Sequence, residues 1–227
     1  MPARRILIAA VIAALSLITA CSGGGGAGAT AAPLPSGTEL VKKSAEAARA
    51  AKSVTFSMET EGTPPVQVKK ASGRLTGTGD ADGTLQVDVL GTLQEISFVL
   101  LGETVHFKGA TGGFQKMSRS QLAAIYDPSA ILDPDRGVVQ LLGTAQNPKT
   151  QAAETLDGAD VYRVTATLSK QVLATMVPGI AQNVDATLWM DRATARLIKA
   201  DLPLTGGKVI VGFGDYDVPV EITAPAG

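Results

Sequence analysis

The chain predicts an α+β fold: one large, curled antiparallel sheet with helices gathered on its concave face, an arrangement that can enclose a cavity. Three observations lead there. Long stretches alternate apolar and polar residues with a period of two and are broken by short turn signals, as in an antiparallel meander. Helical patterns are short and few, so they have to gather on a sheet to bury their apolar faces. The interior is aliphatic, with 45% hydrophobic but only 4% aromatic residues. A sheet of roughly nine to eleven strands accumulates twist and tends to curl.

The first segment to justify is the amino terminus, MPARRILIAAVIAALSLITACS. Arg4 and Arg5 form a positive n-region, Ile6 to Ile18 an apolar h-region, and Thr19-Ala20 a small-residue cleavage site, which is the layout of a secretory signal. Ile18-Thr19-Ala20-Cys21 fits the bacterial lipobox, in which Cys21 is diacylated and becomes the mature amino terminus. Residues 1–20 are therefore expected to be a signal peptide read by the Sec route. Residues 21–35, rich in Gly and Ala and ending in prolines, read as the lipidated cysteine and a flexible tether. Residues 36–227 read as one domain.

That domain opens with a helix from Ser36, where Ser36-x-x-Glu39 has the form of a capping box. Leu40, Ser44, Ala47, Ala48 and Ala51 share its buried face. From Ser53 to about Lys116 the period becomes two. Val54, Phe56 and Met58 share one face, as do Leu85, Val87 and Val89, then Ile96, Phe98 and Leu100, then Val105 and Phe107. Turns are expected at Asp82-Gly83, Leu90-Gly91, Gly102-Glu103 and Gly112-Gly113.

Ser118 to Ala145 returns to helical signals. Ser118-x-x-Gln121 is a second capping box, and Asp127-Pro128 and Asp133-Pro134 each place an acceptor at an N-cap and a proline at N1. Two or three short helices are expected, ended by Asn147-Pro148. Strands follow at Thr150–Glu154 and Val161–Leu168, joined through Asp157-Gly158. A short helix runs from Ser169 to Pro178-Gly179. Val184, Ala186, Leu188 and Met190 then face one way in a strand that turns near Arg192 and returns through Ile198, Ala200 and Leu202. Two further segments, Lys208–Asp217 and Val218–Thr223, complete the chain.

Composition excludes several function classes. The formal charge is −1, with 20 basic and 21 acidic side chains, which argues against nucleic acid as a partner. The single cysteine is committed to lipid, so neither disulfides nor a thiolate metal site is expected. His106 lies mid-strand on the face opposite Val105 and Phe107 and reads as a surface residue, not a general base. No catalytic set, cofactor motif or metal site is expected; Asp127, Asp133 and Asp135 resemble a loose calcium cluster, but the positions before Pro128 and Pro134 explain Asp127 and Asp133 as helix caps. Tyr126 can tether to backbone or meet a ligand head group. Trp189 points away from Leu188 and Met190, either as an exposed docking residue or under a loop.

With the lipobox, the helix at Ser36, the meander, the YDPSAILDPDRG run (Tyr126–Gly137) and the ATLWMDRATARLIKADL hairpin (Ala186–Leu202) in view, the chain resembles the LppX/LprA/LprF/LprG family of actinobacterial lipoproteins. Its phrasing is nearest the LprG branch. The resemblance implies a LolA/LolB-like half-barrel whose cavity holds the acyl chains of di- or triacylated lipids and glycolipids for carriage across the periplasm. Triacylglycerol, phosphatidylinositol mannoside or lipoarabinomannan are the implied kinds of cargo, and a major-facilitator efflux protein the implied partner. Anchorage is then to the outer face of the cell membrane through diacylglyceryl-Cys21. The expected cavity lining is Leu85, Val87, Val89, Ile96, Phe98, Val105 and Phe107 with Leu188 from the sheet, and Ile125, Tyr126, Leu132, Val139, Leu142, Leu173 and Met176 from the helical segments. The alternative is a non-enzymatic accessory or scaffold subunit of an envelope lipid-export or efflux system.

Overall fold

The computed structural model describes residues 33–89, 91–123, 128–133, 135–177 and 179–225. Cys21, Ile125 and Tyr126 lie outside them, as do the signal and most of the tether. The described residues form one eleven-stranded antiparallel sheet. Its strands are β1 (Ser53–Gly62), β2 (Val68–Thr76), β3 (Ala81–Val89), β4 (Thr92–Leu101), β5 (Thr104–Lys108), β6 (Gln115–Ser118), β7 (Gln146–Leu156), β8 (Ala159–Leu168), β9 (Val184–Asp191), β10 (Leu197–Leu204) and β11 (Gly207–Gly214). The spatial order is β6-β5-β4-β3-β2-β1-β11-β10-β9-β8-β7. Two meanders meet where β1 pairs with β11, and the sheet curls without closing.

That order dictates where the helices go. The chain leaves the sheet at one edge, β6, and re-enters at the other, β7. The segment between holds α2 (Arg119–Ala123), a 3-10 turn (Pro128–Ile131) and α3 (Gly137–Gly143). Together with α1 (Gly37–Arg49) and α4 (Lys170–Met176), it joins the apolar sheet face in one continuous core. Leu40, Val41, Ala45 and Ala48 of α1, Val138, Val139, Leu141 and Leu142 of α3 and Leu173 of α4 all belong to that core. The small residues of α1 allow close approach, and Gly37 has no room for a side chain because a β-carbon there would meet the Pro148 carbonyl at 2.6 Å.

Local signals were realised unevenly. Ser118 and Gln121 form a reciprocal box: the Gln121 amide donates to Ser118 Oγ at 3.2 Å and the Ser118 amide to Gln121 Oε1 at 2.9 Å. Ser36 occupies the N-cap of α1 but its side chain makes no capping bond, contrary to expectation. Asp133 does not cap a helix either. It accepts from the Asp135 amide at 2.9 Å and from Arg136, and α3 starts only at Gly137. Asp82-Gly83 is no turn but the interior of β3, and the turn lies at residues 77–80. Strand β2 was not anticipated. In β10 a bulge turns Leu197 inward opposite Met190, where Ile198 was expected to serve.

The carboxyl-terminal segment after β11 is pinned to the start of β1. Ser53 Oγ donates to the Val218 carbonyl at 2.6 Å, and the Lys52 amide to Asp217 Oδ1 at 2.7 Å. Arg196 pairs with Asp217 and lies 4.9 Å above the ring of Tyr216, whose hydroxyl donates to the Leu197 carbonyl at 2.7 Å. The Lys52 amide, helped by the Arg196 charge, holds the Asp217 carboxyl below its ordinary 3.8. A carboxylate with a lowered folded-state pKa stabilises the fold above its unfolded value and loses that contribution as pH falls through the folded one. The urea midpoint should therefore decline below about pH 4, and Asp217→Asn should flatten the decline.

Candidate functional site: an apolar face left partly open

The register builds an apolar layer in rows across the inner face of the sheet. The first runs Val54, Leu75, Ala81, Leu100 and Val105 across β1 to β5, and none of the five is more than 1% exposed. The second runs Phe213, Phe56, Gly73, Gly83, Phe98 and Phe107. The third runs Val164, Leu188, Ala200, Val211, Met58, Ala71, Leu85 and Ile96. Along this third row Val164, Leu188 and Ala200 are buried, whereas Val211 through Ile96 are only half-buried. The apolar face is thus sealed over β8 to β10 and left partly open over β1 to β4. Half-buried apolar side chains that adjoin one another mark a surface that gains by being covered.

The second row carries the feature that shapes this opening. Gly73 and Gly83 are direct cross-strand partners, flanked by Phe56 and Phe98. A β-carbon on Gly83 would fall on the Ser72 carbonyl oxygen and lie 2.9 Å from the Gly73 Cα. One on Gly73 would meet the Asp82 carbonyl oxygen and lie 3.0 Å from Cε1 of Phe56, so that ring leans over bare backbone. Glycine inside a strand marks this kind of tight backbone approach. The result is a floor without side chains between two aromatic residues.

The structure places the expected lining residues in three groups. Val105, Leu132, Val139, Leu142, Leu173 and Leu188 are packed in the continuous core together with Phe98, which is 8% exposed. Leu85, Val87, Ile96 and Phe107 are half-buried around the opening, and Met176 of α4 is half-buried against the core. Val89 is exposed at the end of β3. The sheet residues of all three groups share one face, as the alternation requires. The residues that complete the opening and were not anticipated as its members are Phe56, Met58, Gly73, Gly83, Val211 and Phe213. A glycine amid alternating apolar residues was the available signal for Gly83.

The other side of the sheet is polar. A groove of about 360 Å³ lies there among Ser57, Glu59, Lys70, Ser72, Thr84 and Gln86, behind Met58, Ala71 and Leu85. A second depression, about 430 Å³, lies between α1 and the β9–β10 turn, with Lys43, Glu46, Tyr162 and Arg192 among its lining. Trp189 is on the polar side as expected and is almost covered. Its indole N–H donates to Glu154 Oε1 at 2.7 Å, and the Lys199 ammonium lies 4.7 Å above its ring. His106 corrects the expectation of a surface residue, being only 6% exposed. It stands on an inner strand between Val99 and Lys116, which flank it from both neighbours. Among the described residues no helix is long and apolar enough to cross a membrane, and no three His, Cys, Asp or Glu side chains converge as metal ligands would.

Comparison with known proteins agrees with this architecture. A family model described as LppX_LprAFG lipoprotein matches residues 36–222. The lipoarabinomannan carrier protein LprG of Mycolicibacterium smegmatis is 27% identical, over 97% of this chain and 95% of its own length. The putative diacylated glycolipid transporter LprF of Mycobacterium bovis is 25% identical, over 97% of this chain and 92% of its own. The crystal structure of LprF from Mycobacterium bovis superposes with a TM-score of 0.76 at 24% identity, covering 86% of this chain and 99% of that one. That of LppX from Mycobacterium tuberculosis gives 0.63 at 20% identity, covering 82% and 98%. Both share the fold.

Proposed function

Because this chain belongs to the LppX_LprAFG lipoprotein family, we propose that it is a membrane-anchored carrier of acylated lipids in the cell envelope. Di- or triacylated lipids or glycolipids lay their acyl chains on the inner face over β1 to β4, between Phe56 and Phe98, and their head groups stay in water. The observation that carries this reading is the half-buried set Phe56, Met58, Leu85, Ile96 and Phe107 around the Gly73-Gly83 floor. Relatives named as carriers of lipoarabinomannan and of diacylated glycolipid support the same class of cargo.

The energetics suit a carrier. Each CH₂ moved from water onto such a face gains ~0.8 kcal/mol, which would hold a long chain firmly against loss to water. A bilayer offers the same gain, so exchange between membrane and protein is close to balanced and needs no chemistry. The reading is non-enzymatic. The chain's one histidine, His106, stands on the opposite side of the sheet from the opening.

Purified protein should bind cis-parinaric acid saturably, with a diacylated phospholipid or glycolipid as competitor. Absence of saturable binding would contradict the proposal. In this reading Cys21, diacylated after export through the Sec route, holds the carrier near the membrane that supplies cargo, and a major-facilitator efflux protein acts as partner. Cys21→Ala should then leave parinaric-acid affinity unchanged while abolishing delivery of labelled lipid between membranes in spheroplasts. If the reading is instead wrong and the chain is an accessory subunit, a transporter will co-purify equally with protein whose opening has been blocked.

A further inference from the structure

Four large apolar side chains of the described residues are strongly exposed, and two of them, Val89 at 50% and Leu93 at 59%, sit on the β3–β4 hairpin. We propose that the tip of this hairpin is a bilayer contact, dipping into the lipid surface. The two side chains point to opposite faces. Val89 pairs with Thr92 and continues the inner-face series of Leu85 and Val87, while Leu93 pairs with Asp88 on the polar side. A protein partner would cover one face of such a tip. A hydrocarbon layer covers both at once.

The tip is built to leave water. Strand β2 starts its pairing at Val68 opposite Val87, and the last bond to that neighbour is from the Asp88 amide to the Gln67 carbonyl at 3.0 Å, so the residues beyond project past the neighbouring strand. The Gly91 amide donates to Asp88 Oδ1 at 2.7 Å, so that donor of the turn is satisfied within the hairpin. Farther down, Gln86 donates to Glu95 at 3.3 Å. The ionisable groups nearest the tip on this hairpin, Asp88 and Glu95, are acidic, so the contact is apolar and does not select anionic lipid. Along β3, Val89 and Val87 lead to Leu85, with Thr92 and Gln94 beside them on β4 and Ile96 beside Leu85, so an acyl chain entering at the tip can follow the apolar side chains of β3 as far as the opening.

The test uses the full chain with Cys21→Ser, which removes its one cysteine, and Leu93→Cys carrying an environment-sensitive fluorophore. With phosphatidylcholine vesicles the label should shift to the blue, brighten severalfold and be quenched by lipid-borne spin labels. A label at Glu103→Cys, in the turn between β4 and β5 at the far end of the hairpin, should not respond. No response at position 93, or an equal response at 103, would overturn the proposal. So would a concentration-dependent shift without vesicles, which would make a second copy of the chain the occupant. The outcome is independent of whether the inner face carries lipid, because cargo is read separately by parinaric-acid binding.

Discussion

Leu85→Lys combined with Ile96→Asp should strip the protein of bound lipid and leave it folded. The two residues are direct cross-strand partners in the half-buried part of the inner face. Opposite charges at such a pair attract across the strands, which holds the sheet together. Being half-exposed, both charges reach water in the empty protein. An acyl chain laid over them would have to desolvate them, which is costly. Affinity for parinaric acid should fall at least tenfold, or ~1.4 kcal/mol, with little change in melting temperature. Loss of affinity accompanied by unfolding would not support the assignment of the site.

The second large effect falls on the glycine floor. Gly83→Val should lower stability by ~2–4 kcal/mol in urea, because the new side chain collides with backbone of β2 and the paired strands cannot both keep their places. The collision is with the Ser72 carbonyl oxygen and the Gly73 Cα, neither of which can rotate away. Gly109→Ala is the control. Nothing lies within 4 Å of a β-carbon there, so its cost should be a few tenths of a kcal/mol. Equal losses at the two positions would mean that the Gly73-Gly83 approach is not what shapes the opening.

Most of the sheet was legible because one face is apolar throughout. Val54, Phe56 and Met58, or Leu85, Val87 and Val89, alternate so strictly that period two alone assigns both strand and face. The meander, the helical block between Ser118 and Ala145 and the short helix after Ser169 follow from local capping and turn chemistry. What escaped was set by tertiary contact. Strand β2, with Lys69, Lys70, Ser72 and Arg74, is polar at most positions and holds its place by pairing on both sides, not by its own propensity. Gly83 reads as a turn next to Asp82, yet Arg74 donates to Asp82 Oδ1 at 2.9 Å across the strands, an ion pair that belongs to strand interior. Asp133 has the chemistry of an N-cap, but Arg136 claims it and holds its carboxyl below the ordinary range.

The site was legible by face and not by degree of exposure. Alternation places Leu85 and Leu188 on the same side equally well, and the register puts them in one row. That Leu188 is sealed while Leu85 stays half-open depends on where the helices come to lie on the sheet, which alternation does not encode. Phe56 and Phe213, far apart in sequence, become cross-strand neighbours because β11 returns to pair with β1. No local pattern carries that information.

Whether the protein carries lipid can be read by native mass spectrometry of the full chain carrying Cys21→Ala, produced in an actinobacterial host. A protein ion with one acylated lipid bound is expected, and loss of that adduct when Leu85→Lys and Ile96→Asp are added. A protein ion of bare mass, or an adduct that survives the double substitution, would contradict the carrier assignment.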